Sequence, residues 1–322
     1  MKSNIFLSSL SKDQKEFLNL LDLTAKVHRE VKPVESDNSE PVWQTDFFHL
    51  DNSDLWNSLS LKKQRSVLLK LGEKIFQEAY FIEYAGMSYA AKMNLVSKSK
   101  EEREFFCFVA EEEAKHLRLI ESFGNFSVAS ENISSFALLV GEIIHEANRP
   151  SHLLLIQILL EGWGLSYYKN LSKFSRNETV AQVFKQILKD EIRHHSAGVL
   201  LFAQIKETPA FTDQDQTEFL SFLERIAFMV KIGPWNLCDE VFKHVKHPTK
   251  EKLRTFLEEC NGVVVTSEKM QLLEQLLEKN LPDKVLKIIR EKRILDPMTL
   301  DEMTEALSQS ISGTFQLVED RK

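Results

Sequence analysis

Two short boxes combine an acid and a histidine at the same spacing, Glu113-Ala-Lys-His116 within "EEEAKH" and Glu191-Ile-Arg-His194 within "DEIRHH". Three residues make about one helical turn, so each box presents a carboxylate and an imidazole from one face of a helix. A further glutamate stands 30 residues before each box glutamate, Glu83 before Glu113 and Glu161 before Glu191. Four carboxylates and two imidazoles in this twofold arrangement are the ligand set of a dinuclear metal centre in a four-helix bundle. Unpaired carboxylates are costly in an apolar interior, and cations remove that cost. Four negative charges and two neutral imidazoles match two divalent ions, and the mix of oxygen and nitrogen donors suits iron or manganese better than a thiolate-preferring ion.

Such a site constrains the elements that carry it. On one straight helix, 30 residues would separate two glutamates by ~45 Å, so the chain must fold back between them. The apolar pattern predicts a helix over 60–96, with Phe76, Ala79, Tyr80, Gly86, Met87 and Ala90 on the face of Glu83. "VSKSKEE" breaks it near residue 98, midway between Glu83 and Glu113, and Ser99 with Glu102 reads as a capping box for a helix over 100–122. A crossover helix is expected over 134–147. The second half repeats the first: a helix over 151–171 carries Glu161, "SKFSRNE" breaks it near residue 176 with Ser175 and Glu178 as a second capping box, and a helix over 178–205 carries Glu191 and His194.

The flanking sequence is also helical. Residues 11–31 read as an amphipathic helix, followed by an arm bearing Trp43, Phe47 and Phe48 that should lay aromatics on the main body. Beyond residue 206, helices are expected over 214–232, 237–246, 250–259, 268–279, 284–292 and 300–310, punctuated by Gly233-Pro234, His247-Pro248, Asn261-Gly262 and Asp296-Pro297. The organisation expected is therefore an N-terminal helix and arm over 1–59, a dimetal four-helix bundle over 60–205 and a C-terminal helical extension over 206–322. The extension could cover the bundle, shape an entrance or form a homodimer surface.

Composition agrees with an all-α chain: 322 residues, 43% hydrophobic, have only ten glycines and eight prolines. A net charge of -7 gives no electrostatic footprint for nucleic acid. Cys107, Cys238 and Cys260 are scattered, which suggests neither a disulfide framework nor a cysteine metal site. The N-terminus lacks the pattern of a signal peptide, and no apolar run approaches the ~20 residues that span a bilayer. These features lead us to expect a soluble, cytoplasmic protein.

With these residues in hand, the chain over 60–205 resembles the ferritin-like dinuclear-iron carboxylate proteins, a superfamily of rubrerythrins, ribonucleotide reductase small subunits, monooxygenase hydroxylases, desaturases and aldehyde-deformylating oxygenases. The resemblance implies a ferritin-like bundle with Glu83, Glu113, His116, Glu161, Glu191 and His194 as ligands of two Fe ions, with Mn/Fe and Mn/Mn pairs as alternatives. It also implies bridging by Glu113 and Glu191, and orienting roles for Glu112 and Asp190 behind the histidines. Tyr80, beside Glu83, could hydrogen-bond a ligand or carry an electron, as could Tyr84, although packing accounts for both.

Departures from the superfamily narrow the field. Ile120 stands where the reductase subunit has its radical tyrosine, C-x-x-C pairs are absent, and Ile187 stands where the N-oxygenase branch has a histidine. Gly162 and Gly164 beside Glu161 should leave volume for oxygen or substrate. The expected activity is an oxidase or oxygenase that uses O2 and an external electron donor on a small or lipid-like organic substrate. Iron handling or peroxide scavenging without an organic substrate is the alternative.

Several residues carry competing readings. Glu78 could stand in for Glu83, and His195 for His194, though the 30-residue symmetry favours Glu83 and His194. Glu142 and His145 form a third E-x-x-H on the crossover helix without a partner hairpin, which reads as a polar face. His244 and His247 read as surface residues, and Cys107 in "FFCF" as a small core residue.

Overall fold

Short polar side chains set most of the helix starts. Ser99, Ser134, Asn177, Thr212 and Thr249 each accept a backbone N–H from the first turn that follows, satisfying donors that the helix cannot. The computed structural model describes residues 40–124, 133–206 and 211–311. Among these the chain is all-α, with no strand. The amphipathic helix expected over 11–31 lies outside the described residues.

The helices are α1 (Asp54–Asn57), α2 (Leu61–Val96), α3 (Lys100–Glu121), α4 (Ser135–Glu146), α5 (Arg149–His152), a π-helical stretch (Leu153–Leu160), α6 (Glu161–Phe174) and α7 (Glu178–Ala203). They continue with α8 (Asp213–Lys231), α9 (Trp235–Phe242), α10 (Lys250–Glu259), α11 (Gly262–Glu278), α12 (Asp283–Glu291) and α13 (Leu300–Ile311). The chain divides into two compact units, one containing Ile75–Arg149 and the other Ser39–Lys74 with Pro150–Lys322.

In the first unit, α2 and α3 form an antiparallel hairpin. Its cross-helix partners step inward from Phe76 with Phe123, through Glu83 with His116 and Tyr89 with Phe106, to Asn94 with Arg103. The turn falls at 97–99, where the sequence pattern breaks. Ser99 caps α3 as expected, but the Glu102 carboxylate accepts from the Lys98 N–H (2.8 Å) and from Arg149 Nη2 (2.7 Å). Lys92 Nζ donates to the carbonyls of Ile144, His145 and Ala147, closing the open end of α4.

In the second unit, the π-helical stretch and α6 pair antiparallel with α7. Ser172 Oγ donates to the Ala181 carbonyl, and Tyr168 stacks on Phe184. The cap of α7 is Asn177, whose Oδ1 accepts from the N–H groups of Thr179 and Val180. Ser175 lies too early for that role and instead exchanges hydrogen bonds with the Asn177 backbone. The aromatic arm is docked as its composition predicted. Trp43 is buried and its indole N–H donates to the Leu171 carbonyl near the end of α6, while Phe47 packs on Phe174.

The C-terminal helices belong to this second unit, where α8 and α11 pack on the π-helical stretch. The helix expected over 268–279 begins earlier, at Gly262, because Asn261 takes the left-handed conformation (φ 53°) and turns the chain directly out of α10. Leu50, Trp56, Val67, Leu71, Phe242, Phe256 and Met303 are among the buried residues of a further apolar core in this unit.

Candidate metal centre

Each unit brings one glutamate pair and one histidine together. In the first, Glu83 on α2 and Glu113 and His116 on α3 are all buried, and each offers a ligand atom within 4.8 Å of the others. His116 Nδ1 lies 3.1 Å from Glu83 Oε2 and 3.9 Å from Glu113 Oε2, so Nδ1 is the ring nitrogen that faces the carboxylates. The helix spacing puts Glu113 and His116 on one face, and the hairpin brings Glu83 level with them. Glu78, the competing candidate, is half-buried and outside this group.

Tyr80 is buried one turn before Glu83, with its ring 6.5 Å from that of Tyr84. Burial, with the charge of Glu121 and the neighbouring Tyr84 adding to it, pushes the Tyr80 phenol up to about 12. It is therefore a neutral hydrogen-bonding group at physiological pH. Burial also raises the Glu121 carboxyl above the ordinary range, against the opposing charge of Arg118.

In the second unit, Glu161, Glu191 and His194 offer ligand atoms within 4.8 Å of one another. Glu191 and His194 are buried, Glu161 is half-buried, and His194 Nδ1 lies 3.1 Å from Glu191 Oε2. His195 does not replace His194. Its Nδ1 lies 3.2 Å from the Gln157 carbonyl, to which it donates as the Nδ1–H tautomer.

The helix that carries Glu161 departs from the expected straight α-helix. Leu153–Leu160 is π-helical, and the Glu161 N–H bonds to the Ile156 carbonyl, five residues back. Gln157 lies within this stretch, fully buried, and its Nε2 donates to the His194 carbonyl (3.1 Å). Gln157 thus grips α7 on both sides, holding the backbone of His194 and the ring of His195. Sequence periodicity passed over it, although a lone amide in the apolar run "LLLIQILL" signals a group that needs a partner.

The other predicted residues are placed as follows. Asp190 accepts from Arg193 Nη2 (2.6 Å), and Glu112 is half-buried next to Glu113. His145 is exposed, consistent with a polar face, and Glu142 is half-buried. His247 is exposed and His244 half-buried. Cys107 is exposed, not a core residue, because α3 turns Phe106 inward and leaves its neighbour outside. Its Sγ takes a hydrogen bond from Asn94 Nδ2. The volume expected beside Gly162 is filled, since a Cβ there would meet Leu276 at 2.8 Å and His195 at 2.9 Å. Gly164, by contrast, has open space around it, with nothing within 4 Å of its Cβ position.

Comparison of the chain with protein-family models, curated proteins and solved structures gives no match. Among the described residues no helix is long and apolar enough to cross a membrane. The two buried Glu–Glu–His clusters fit a metal by their chemistry. Each puts two carboxylates against one imidazole, all three buried in the first cluster and Glu161 half-buried in the second, a donor set that suits a divalent transition ion.

Proposed function

We propose that the chain is a dinuclear non-heme iron oxidase or oxygenase of the ferritin-like kind, in which each hairpin supplies one cluster of carboxylate and imidazole donors. The observation that carries this reading is the pair of E-x-x-H boxes, each in a buried cluster with a glutamate from the preceding helix. Glu83, Glu113, Glu161 and Glu191 would supply the negative charge that neutralises two divalent ions. His116 and His194 would donate neutral Nδ1 atoms, leaving the centre close to electrically neutral.

Two ferrous ions held there would supply electrons for the reduction of O2, with a small or lipid-like organic molecule as the substrate. Such a site would need an external electron donor as a partner. The protein's own part is to hold the donor atoms and to keep bulk water away from the buried carboxylates. Gln157 fixes the backbone of His194, which keeps the second imidazole aligned with Glu191.

The filled space at Gly162 favours a second reading, iron handling or peroxide scavenging with no organic substrate. One experiment addresses both: anaerobic Fe(II) loading of the purified chain, followed by exposure to O2 and product profiling against metabolite extracts. Two irons bound per chain, O2 consumption and an oxidised organic product support the oxygenase. Iron-dependent O2 or peroxide consumption without such a product supports the second reading. Tight binding of a single zinc with no iron-dependent O2 uptake refutes both, and Glu113→Ala or Glu191→Ala should abolish two-metal occupancy.

A further inference from the structure

We propose that Gly86 is a positioning residue for the metal centre: its missing side chain is the seat in which the Glu113 carboxylate rests, and any larger residue there displaces that ligand. The inference rests on the reading of Glu113 as a metal ligand and adds a determinant that the acidic-histidine pattern does not contain.

Gly86 lies inside α2, one turn after Glu83 and on the same face. Glycine weakens a helix interior relative to alanine, so its presence there asks for a reason. Backbone conformation is not the reason, because no glycine among the described residues has a positive φ. Space is. A Cβ built on Gly86 would lie 2.6 Å from Glu113 Oε2, 2.7 Å from its Cδ and 3.1 Å from its Oε1. All three atoms of the carboxylate therefore press against the bare backbone of α2. The same Oε2 faces His116 Nδ1, so the seat and the cluster share one oxygen.

Gly72, in the same helix, is a built-in contrast. A Cβ there would meet nothing nearer than Trp43 at 3.9 Å, an ordinary contact. At Gly86, relief of the clash requires Oε2 to retreat from 2.6 Å to the 3.4 Å where ordinary contact begins. That movement is about four times the ~0.2 Å latitude of a metal–ligand distance. The Glu113 side chain is buried between α2 and α3, so it cannot simply swing into solvent while keeping its oxygen beside His116.

The test is Co(II) titration of the metal-stripped full-length chain, read by the visible absorption of the bound ion, with circular dichroism and thermal melts to establish folding. Gly86→Ala should fold and bind Co(II) about 10–100-fold more weakly than the parent, the loss typical of residues that orient ligands. Gly72→Ala should bind like the parent. Shortening the acid in the double variant Gly86→Ala/Glu113→Asp should restore affinity above that of Gly86→Ala alone. A parent chain that binds no Co(II) refutes the ligand reading itself. A binding parent with an equally binding Gly86→Ala, or a double variant no tighter than Gly86→Ala, refutes the seat alone. If Gly86→Ala does not fold, recovery of folding in Gly86→Ala/Glu113→Ala supports the clash, and failure to recover overturns it.

Discussion

Replacing Gly198 by alanine adds one methyl group where the second hairpin is tightest, and two effects of opposite sign then compete. Helix propensity alone favours alanine by about 1 kcal/mol in the interior of α7. The new Cβ, however, would lie 2.5 Å from the Gln157 Cβ and 3.2 Å from its backbone carbonyl carbon. Those atoms belong to the root of the side chain and to the main chain, so rotation cannot move them aside. Reaching the 3.4 Å of ordinary contact requires a separation of nearly 1 Å between α7 and the π-helical stretch. The bonds from Gln157 Nε2 to the His194 carbonyl (3.1 Å) and between His195 Nδ1 and the Gln157 carbonyl (3.2 Å) would then stretch beyond useful length. Two lost hydrogen bonds, one from a fully buried amide, cost about 2–3 kcal/mol together, and strained packing adds about 1 kcal/mol. The net expectation is a loss of about 2–3 kcal/mol after the propensity gain. Denaturant unfolding of the metal-free chain measures it, because metal binding would obscure a purely structural effect. A variant as stable as the parent, or more stable, would show that the close approach at Gly198 is not rigid and that the Gln157 grip carries little weight.

Other perturbations test the electrostatics. Lys74 and Lys243 both pair with Asp239 and Glu240, two buried acids on α9. Burial alone would raise the Glu240 carboxyl, but hydrogen bonds from Lys243 and Lys74 outweigh it and hold Glu240 below the ordinary range. A depressed carboxyl contributes stability above its unfolded pKa that is lost as pH falls through the folded value. Lys74→Met should therefore destabilise by about 1–3 kcal/mol at pH 7, and the deficit should shrink in urea melts repeated on the acid side of the carboxylate range. Glu121 is shifted the opposite way by burial, so its contribution is present at low pH and disappears as pH rises through its folded value. Glu121 is exposed, so solvent screening keeps the effect small, and Glu121→Gln should raise the melting temperature only slightly at pH 8 and leave it unchanged near pH 4. It should also bring down the Tyr80 phenol, which ultraviolet titration of tyrosinate reads directly.

Much of the helical framework was legible in the one-dimensional pattern. Helical periodicity, the breaks near residues 98 and 176 and the serine before α3 located both hairpins to within a few residues. The reason is physical: a local pattern decides local structure when caps, apolar stripes and breaks all agree. The E-x-x-H boxes also announced a shared face, because side-chain direction on a helix follows from spacing alone. Glu83 could be chosen over Glu78 only by symmetry, until the hairpin put it against His116.

Tertiary structure decided what depends on approach between segments distant in sequence. Neither the π-helical turn before Glu161 nor the grip of Gln157 on His194 and His195 has a periodic signature. Gly162 and Gly164 look alike in the sequence, yet Leu276 and His195 fill the space at one and leave the other open. Cys107 seemed apolar by its neighbours and is exposed by its position around α3. Gly86 and Gly72 differ in the same way: both are helical glycines, and only the fold sets one against a carboxylate and the other against empty space and an indole. Composition and spacing supplied the donor atoms. Where each donor has room to point is set by the packing of the helices around it.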